Sequence, residues 1–211
     1  MSFNFIVQKI DKNSAEEAAN LVVAVFNERE PLAHLNSSDP KEFAEYILYL
    51  SHKCAEESLG FVARDVNSNK IIGAILSSDL SETVNSEGSN SEVHNNPIAA
   101  LIDSLNSAYF TRGELEENTY LNIKFIATDS NFKGKGVVME LISTCIKEAK
   151  VKGFKYAQAE ATGNISQHIF INKLGFDEKA SIKYSEFDVD GEKPFSSITE
   201  HEGIKLLIKS I

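Results

Sequence analysis

Thiol chemistry is nearly absent from this chain. Cys54 and Cys145 are its only cysteines, each in a segment of helical apolar spacing, with no C-x-x-C pair and no pair of histidines nearby. Neither a disulfide framework nor a thiolate metal site is therefore expected, and both are read as reduced core residues. Long apolar runs are missing as well. No stretch approaches the roughly 18 apolar residues a membrane span needs, and Met1 to Ile10 lacks a basic flank followed by an apolar run. A soluble, cytoplasmic chain with no membrane partner and no leader is the expectation. Basic residues are in deficit, with 21 Lys and Arg against 31 Asp and Glu and a formal charge of −10. That balance argues against nucleic acid as a partner and fits a cationic substrate drawn to an acidic surface. No internal repeat is evident.

What is present suffices for one well-filled core. At 211 residues and 42% hydrophobic content, the chain is long enough for a single domain, 1–211, and short for two. Its most informative stretch runs from Tyr120 to Lys150. Leu121, Ile123, Phe125 and Ala127 alternate with Asn122, Lys124 and Ile126, the pattern of a strand with one strongly buried face. Val138, Leu141, Ile142, Cys145, Ile146 and Ala149 then recur at helical spacing, and Gly153 ends the helix. Between strand and helix lies the loop Asn131-Phe132-Lys133-Gly134-Lys135-Gly136.

Such a junction can hold a polyphosphate. The first N–H groups of a helix have no intrahelical acceptor, and the helix dipole adds partial positive charge there. Gly134 and Gly136 permit close approach, while Lys133 and Lys135 add two mobile cations. The loop lacks the G-x-x-x-x-G-K-[ST] spacing of a Walker sequence, so ATP hydrolysis is not expected. A dinucleotide fingerprint would need a third glycine where Met139 stands, early in a parallel domain. From the residues alone, a glycine turn with no ligand stays open.

Along the chain, Phe3, Phe5 and Val7 open a strand, Asp11 to Ser14 supply caps, and Ala15 to Asn27 predicts a helix that Pro31 stops. A second helix is expected from Pro40, capped by Asp39, through Phe43, Ile47, Leu50 and Cys54. Leu59 to Asp65 and Lys70 to Leu80 read as a hairpin about Asn67-Ser68-Asn69. Ser77 to Asn96 is so polar that a mobile, solvent-exposed insertion is expected. A helix from Pro97 to Phe110 follows. After the glycine-loop helix come a strand from Phe154 to Ala161, a helix from about Ile165 to Leu174 stopped by Gly175, a strand from Phe176 to Val189, a turn at Asp190-Gly191, and a last strand from Gly203 to Ile211.

That order of elements, across nearly the whole chain, resembles the GCN5-related N-acetyltransferase (GNAT) superfamily. Phe132-Lys133-Gly134-Lys135-Gly136-Val137 resembles its acetyl-CoA pyrophosphate loop, and Asn172-Lys173-Leu174-Gly175-Phe176 resembles the segment closing its fourth helix. The two stand in order about forty residues apart. The resemblance implies an α/β (α+β) fold, with a mixed, mostly antiparallel sheet of about seven strands flanked by helices. It also implies acetyl-CoA as co-substrate, with no metal. Asn131 stands where Gln or Arg is usual and Lys133 where Arg is commoner, which leaves more of the phosphate grip to main-chain N–H groups. In this superfamily the central strand and the next splay apart, and the pantetheine arm pairs with the exposed backbone. The residues this implies are Phe125, Ile126, Ala127 and Thr128, then Phe132 to Val138, and Ser166 near the thioester.

A narrower resemblance is to insect arylalkylamine (dopamine-type) N-acetyltransferases. Phe26-Asn27-Glu28-Arg29-Glu30-Pro31-Leu32 is similar to their F-x-x-D-E-P-L, with Arg29 in place of the usual Asp. Thr162 and Ser166 fall where that group carries two hydroxyls, and Phe195 to His201 resembles its late F-x-x-x-x-x-H segment, with Glu200 where proline is usual. An ammonium must lose a proton before its nitrogen can attack a thioester, and the resemblance implies Glu30 as that base. The departing thiolate needs a hydrogen-bond or proton donor. Ser166 is the first choice and Thr162 the second, with His201 and Tyr184 as alternatives. Cap, core or solvated roles are equally open to these residue types. Phe43, Tyr46 and Tyr49 are expected to pack the core. The implied function is direct acetyl transfer to a primary amine, a small aryl- or alkylamine, by a monomer or homodimer. Polyamine or protein acetylation, or an inactive acyl-CoA sensor, are the alternatives.

Overall fold

The computed structural model describes residues 4–33, 40–84 and 96–211. The chain runs β1 (Phe5–Lys9), α1 (Ala15–Arg29), α2 (Pro40–Glu57), β2 (Phe61–Asp65), β3 (Ile71–Asp79), α3 (Leu80–Val84), α4 (Pro97–Ser107), β4 (Tyr120–Thr128), α5 (Val137–Val151), β5 (Tyr156–Ala161), α6 (Asn164–His168), β6 (Asp177–Lys183) and β7 (Gly203–Ser210). The strands form one sheet in the order β1-β2-β3-β4-β5-β7-β6. Every pairing is antiparallel except β4 with β5. The mixed, mostly antiparallel seven-stranded architecture expected from the sequence is therefore present.

Local chemistry sets the elements. Asp11 Oδ1 accepts from the Ser14 N–H at 2.8 Å and from its hydroxyl at 2.6 Å, fixing the entry to α1. Asn96 Oδ1 caps α4 by accepting from Ile98 and Ala99 N–H, beside Pro97 at the first turn. On α5 the residues Val137, Leu141, Ile142, Cys145 and Ala149 form the buried stripe. Each large one contributes about 1.5–3 kcal/mol on burial. Gly73 lets this helix sit close on β3, since a Cβ there would lie 2.5 Å from Val137 Cγ1.

Two faces of the sheet are covered differently. One carries Leu121, Ile123, Ala157, Ala159 and Leu207 against α5 and the α6 region. The other carries Ala74, Leu76 and Ala127 against α1 and α2, and Ile204, Leu206 and Ile208 against α4. Phe125 belongs to this second face, packing its ring at 5.0 Å from Phe26 and near Phe43 and Tyr46.

Several expectations need correction. Ser77 to Val84 is not part of an exposed insertion: Ser77, Ser78 and Asp79 end the buried strand β3 and Leu80–Val84 is helical. Serine is small, and Ser77 donates to the Leu59 carbonyl while its own carbonyl accepts from Cys54 Sγ at 3.2 Å, so its polarity is satisfied inside. Residues 85–95 of that segment lie outside the described residues, as do Phe3 and the cap Asp39. β6 stops at Lys183 rather than Val189, because the chain turns at Tyr184 to Phe187, whose N–H bonds back to the Lys183 carbonyl. Val189 instead bridges Glu192 around Asp190-Gly191. Tyr49 is 64% exposed and Tyr46 44%, so of the three rings only Phe43 packs as core. The cysteines are buried and free, and burial pushes both thiols up to about 12.

Candidate active site

β4 and β5 pair only at Tyr120–Asn122 with Tyr156–Gln158. Beyond that point β4 continues to Thr128 and β5 to Ala161 without a ladder between them, so the sheet opens like a V. The cause lies on β4. Its register with β3 skips Lys124, pairing Phe125 with Leu76 and Ile123 with Ser77. This one-residue bulge sharpens the twist and turns the strand's end away from β5. It also explains why Ile123 and Phe125, two residues apart, face opposite sides.

At the open end lies the glycine loop. Ser130–Phe132 makes a short 3₁₀ turn, held by Asp129 Oδ1 accepting from the Asn131 N–H at 2.8 Å. Gly134 and Gly136 both adopt positive φ, +74° and +83°, which other residues adopt only with strain. A Cβ at either would meet nothing within 4 Å, so the space above the loop is open. The first α5 amide bonded back into the turn is Glu140, to Gly136 O at 3.1 Å. The N–H groups of Val137, Val138 and Met139 precede that bond, at the positive end of a 15-residue helix. A diphosphate fits this donor set. Lys135 is less mobile than the sequence suggests, for its Nζ lies 4.6 Å above the Phe132 ring. Arg29 donates from Nη1 to the Thr128 carbonyl at 3.2 Å, tying α1 to the last residue of β4. That contact, between residues 99 apart in the chain, was not legible from local pattern.

Glu30 is the first residue past α1, extended at ψ 126°, its N–H still bonded to Phe26 O at 3.0 Å. Its carboxyl group points inward. Oε1 is buried with no partner. Burial raises its pKa, while hydrogen bonds from the Thr162 hydroxyl and the Leu32 N–H pull the other way. Four sequence candidates meet here. Thr162, just past β5, touches Glu30; its carbonyl accepts from the Tyr184 phenol at 2.7 Å. The Tyr184 side chain is fully buried, and burial, then the charge of Glu30, push its phenol up. Pro31 and His201 flank Gly163: a Cβ there would lie 3.3 Å from Pro31 Cγ and 3.7 Å from His201 Cε1. His201 Nδ1 accepts from the Asn164 N–H at 3.3 Å, which leaves the ring proton on Nε2.

Ser166 is placed by capping. Its hydroxyl donates to Gly163 O at 2.8 Å and accepts from the Gly163 N–H at 3.4 Å, closing the start of α6. Phe125, Ile126, Ala127 and Thr128 line the β4 edge of the opening, and Thr128 Oγ1 is buried without a partner. Phe132 to Val138 line the loop. The structure thus gathers Glu30, Thr162, Ser166, Tyr184 and His201 at one end of the split sheet, with the glycine loop at its other rim. Among the described residues no group of three or more His, Cys, Asp or Glu is placed to hold a metal ion, and no helix is long and apolar enough to cross a membrane.

A sheet split at a parallel pair, with a glycine loop opening a helix at the split, is the architecture of acetyl-group transferases that use acetyl-CoA. Residues 22–176 match the Acetyltransferase (GNAT) family, so the chain belongs to that family and is an N-acetyltransferase. Similar solved structures extend the match over both ends. Arylalkylamine N-acetyltransferase 2 from Aedes aegypti superposes with a TM-score of 0.80 at 22% identity, over 99% of each chain. The Drosophila melanogaster polyamine N-acetyltransferase, which forms N-acetylagmatine, gives 0.79 at 16% over 99% of this chain and 100% of that one. The C-terminal condensation domain of Ebony, solved with beta-alanyl-dopamine, gives 0.79 at 16% with the same coverage.

Proposed function

We propose that this enzyme transfers the acetyl group of acetyl-CoA directly to the primary amine of a small alkyl- or arylalkylamine, with Glu30 as the base. The observation that carries the reading is the Glu30 carboxyl group: buried, one oxygen unpartnered, and set against Thr162 where β4 and β5 part. An amine arrives as ammonium and must be deprotonated within the site. A carboxylate whose pKa burial raises above its ordinary value is a stronger base, which suits it to take that proton.

The main-chain N–H groups of Val137, Val138 and Met139, with Gly134, Gly136 and Lys133, hold the diphosphate. The unpaired edge of β4 from Phe125 to Thr128 takes the pantetheine arm as an added strand. The thioester is thereby aimed at the end of β5. As the C–N bond forms and the C–S bond breaks, the amine's proton passes to Glu30 and the thiolate is met by a hydroxyl. Ser166 is the candidate for that donor, with His201 the alternative. Tyr184, buried and donating to Thr162 O, acts as a positioning residue for the strand end.

Glu30→Gln is expected to retain acetyl-CoA binding by calorimetry and to lose turnover by about two to four orders of magnitude. Wild-type turnover in that variant would remove Glu30 from the chemistry. A chain that binds acetyl-CoA but releases no thiol with any alkylamine, arylalkylamine or peptide would instead be a sensor.

A further inference from the structure

On the face of the sheet that carries Glu30, three adjacent strands set polar side chains in one row. Ser78 on β3, Asn122 on β4 and Gln158 on β5 are register partners. Glu160 follows two residues along β5 on the same face, and Asn106 reaches it from α4. The amide nitrogens of Asn106 and Gln158 both donate to Glu160 Oε1, each at 3.0 Å. Asn106, Asn122 and Gln158 are all at least nine-tenths buried.

What remains unsatisfied is three acceptor oxygens and one hydroxyl, which can itself accept. Asn106 Oδ1, Asn122 Oδ1 and Gln158 Oε1 are buried without partners, as is Ser78 Oγ. Among the described residues, no Lys, Arg or His nitrogen lies within ion-pair distance of Glu160. A half-buried carboxylate with no counter-cation thus sits among three orphaned amide oxygens. The apolar residues Leu101, Leu105, Phe110, Leu206 and Ile208 pack on the same face, which strengthens any charge interaction made there. A guest that answers only with donors suits this set, and ammonium and guanidinium groups carry donors alone.

The row also has the right address. Thr162, in contact with Glu30, lies two residues beyond Glu160, so about 6–7 Å separates them at the rise of a strand. Five covalent bonds, as between the nitrogens of a four-carbon diamine, span a comparable length at about 3.6 Å per three bonds.

We propose that Glu160, Gln158, Asn122 and Asn106 form a subsite for a second cationic group on the acceptor, so that the amine acetylated is an alkyl diamine with about four methylenes between its nitrogens. The proposal rests on the acetyl-transfer reading and narrows it. Polar residues in place of an aryl-sized apolar pocket then set the specificity.

The test compares thiol release with butylamine and with 1,4-diaminobutane, which share the reacting ammonium and differ in the distal one, in wild type and in Glu160→Gln. The expected kcat/KM for the diamine exceeds that for butylamine by about tenfold or more, well above the factor of about two from its equivalent nitrogens. Glu160→Gln is expected to collapse that ratio mainly by raising the diamine KM. A wild-type ratio near two overturns the proposal and leaves a row filled by water. An equal loss for both amines in Glu160→Gln also overturns it, as the mark of a structural carboxylate. If that variant does not fold, the wild-type ratio decides. If acetyl-CoA binds but neither amine releases thiol, the acetyl-transfer reading fails and calorimetry judges the subsite alone: heat with 1,4-diaminobutane and none with butylamine supports it, and no heat with either overturns it.

Discussion

Glu30, as the proposed base, would link stability to activity through one side chain. Burial raises its pKa, so the folded state favours the protonated acid more than the unfolded state does. The stability gained from that preference is fully present below the ordinary carboxylate range and is lost as pH rises through the elevated folded value. Glu30→Gln, which cannot ionise, is therefore expected to have a higher Tm than wild type near pH 8, with the gap closing by about pH 4. Unfolding curves at both pH values check this, and a gap that grows on acidification would contradict the burial argument. Ser166 poses a different question, because its hydroxyl already closes the α6 cap. Ser166→Ala should cost about 1 kcal/mol of stability. Ser166→Gln supplies the usual capping-box partner at this position without a hydroxyl. If it restores Tm but not kcat, the hydroxyl acts in the chemistry; if both return, Ser166 is a cap alone.

Among the elements, β4 decides the site, through the single extra residue at Lys124. Ile123 and Phe125 already face opposite sides, so deleting Lys124 leaves every later side chain on its present face and removes only the bulge. The straightened strand is expected to extend its ladder with β5 and close the gap. Acetyl-CoA affinity measured by calorimetry should fall at least about tenfold, while Tm holds or rises. Unchanged affinity would mean the opening has another cause. This bulge was not legible in the sequence, because Leu121 to Ala127 reads as simple alternation and a register skip shows only against the partner strand. Other features were legible for the converse reason. The α5 stripe, the paired glycines and the Gly175 stop are local patterns with local causes. Ser77 to Val84 reads as solvent-seeking from its serines and aspartate, whereas Ser77 and Asp79 find hydrogen-bond partners inside. Gln158 and Glu160 alternate with Ala157, Ala159 and Ala161 on β5. Their convergence with Asn106 required the fold.

At the scale of the whole molecule, two electrostatic demands oppose each other. The formal charge of −10 attracts an ammonium substrate and repels the anionic coenzyme, yet the reaction needs both. On the proposed reading the fold separates them in space, with the diphosphate on helix-start amides and loop lysines at one rim and the amine at a carboxylate at the other. Long-range fields are screened by salt, with a Debye length of about 30 Å at 0.01 M and about 10 Å at 0.1 M, while amides in contact with a phosphate are not. Raising ionic strength over that range is therefore expected to raise KM for the amine severalfold, because the acidic surface ceases to gather it. KM for acetyl-CoA should fall or stay level, since the repulsion fades and the amide contacts persist. Initial rates with each substrate varied at saturation of the other measure the two responses separately. If KM for acetyl-CoA rises with salt as steeply as KM for the amine, the coenzyme is held chiefly by mobile lysine charge, and the helix start carries less of the diphosphate than its geometry implies.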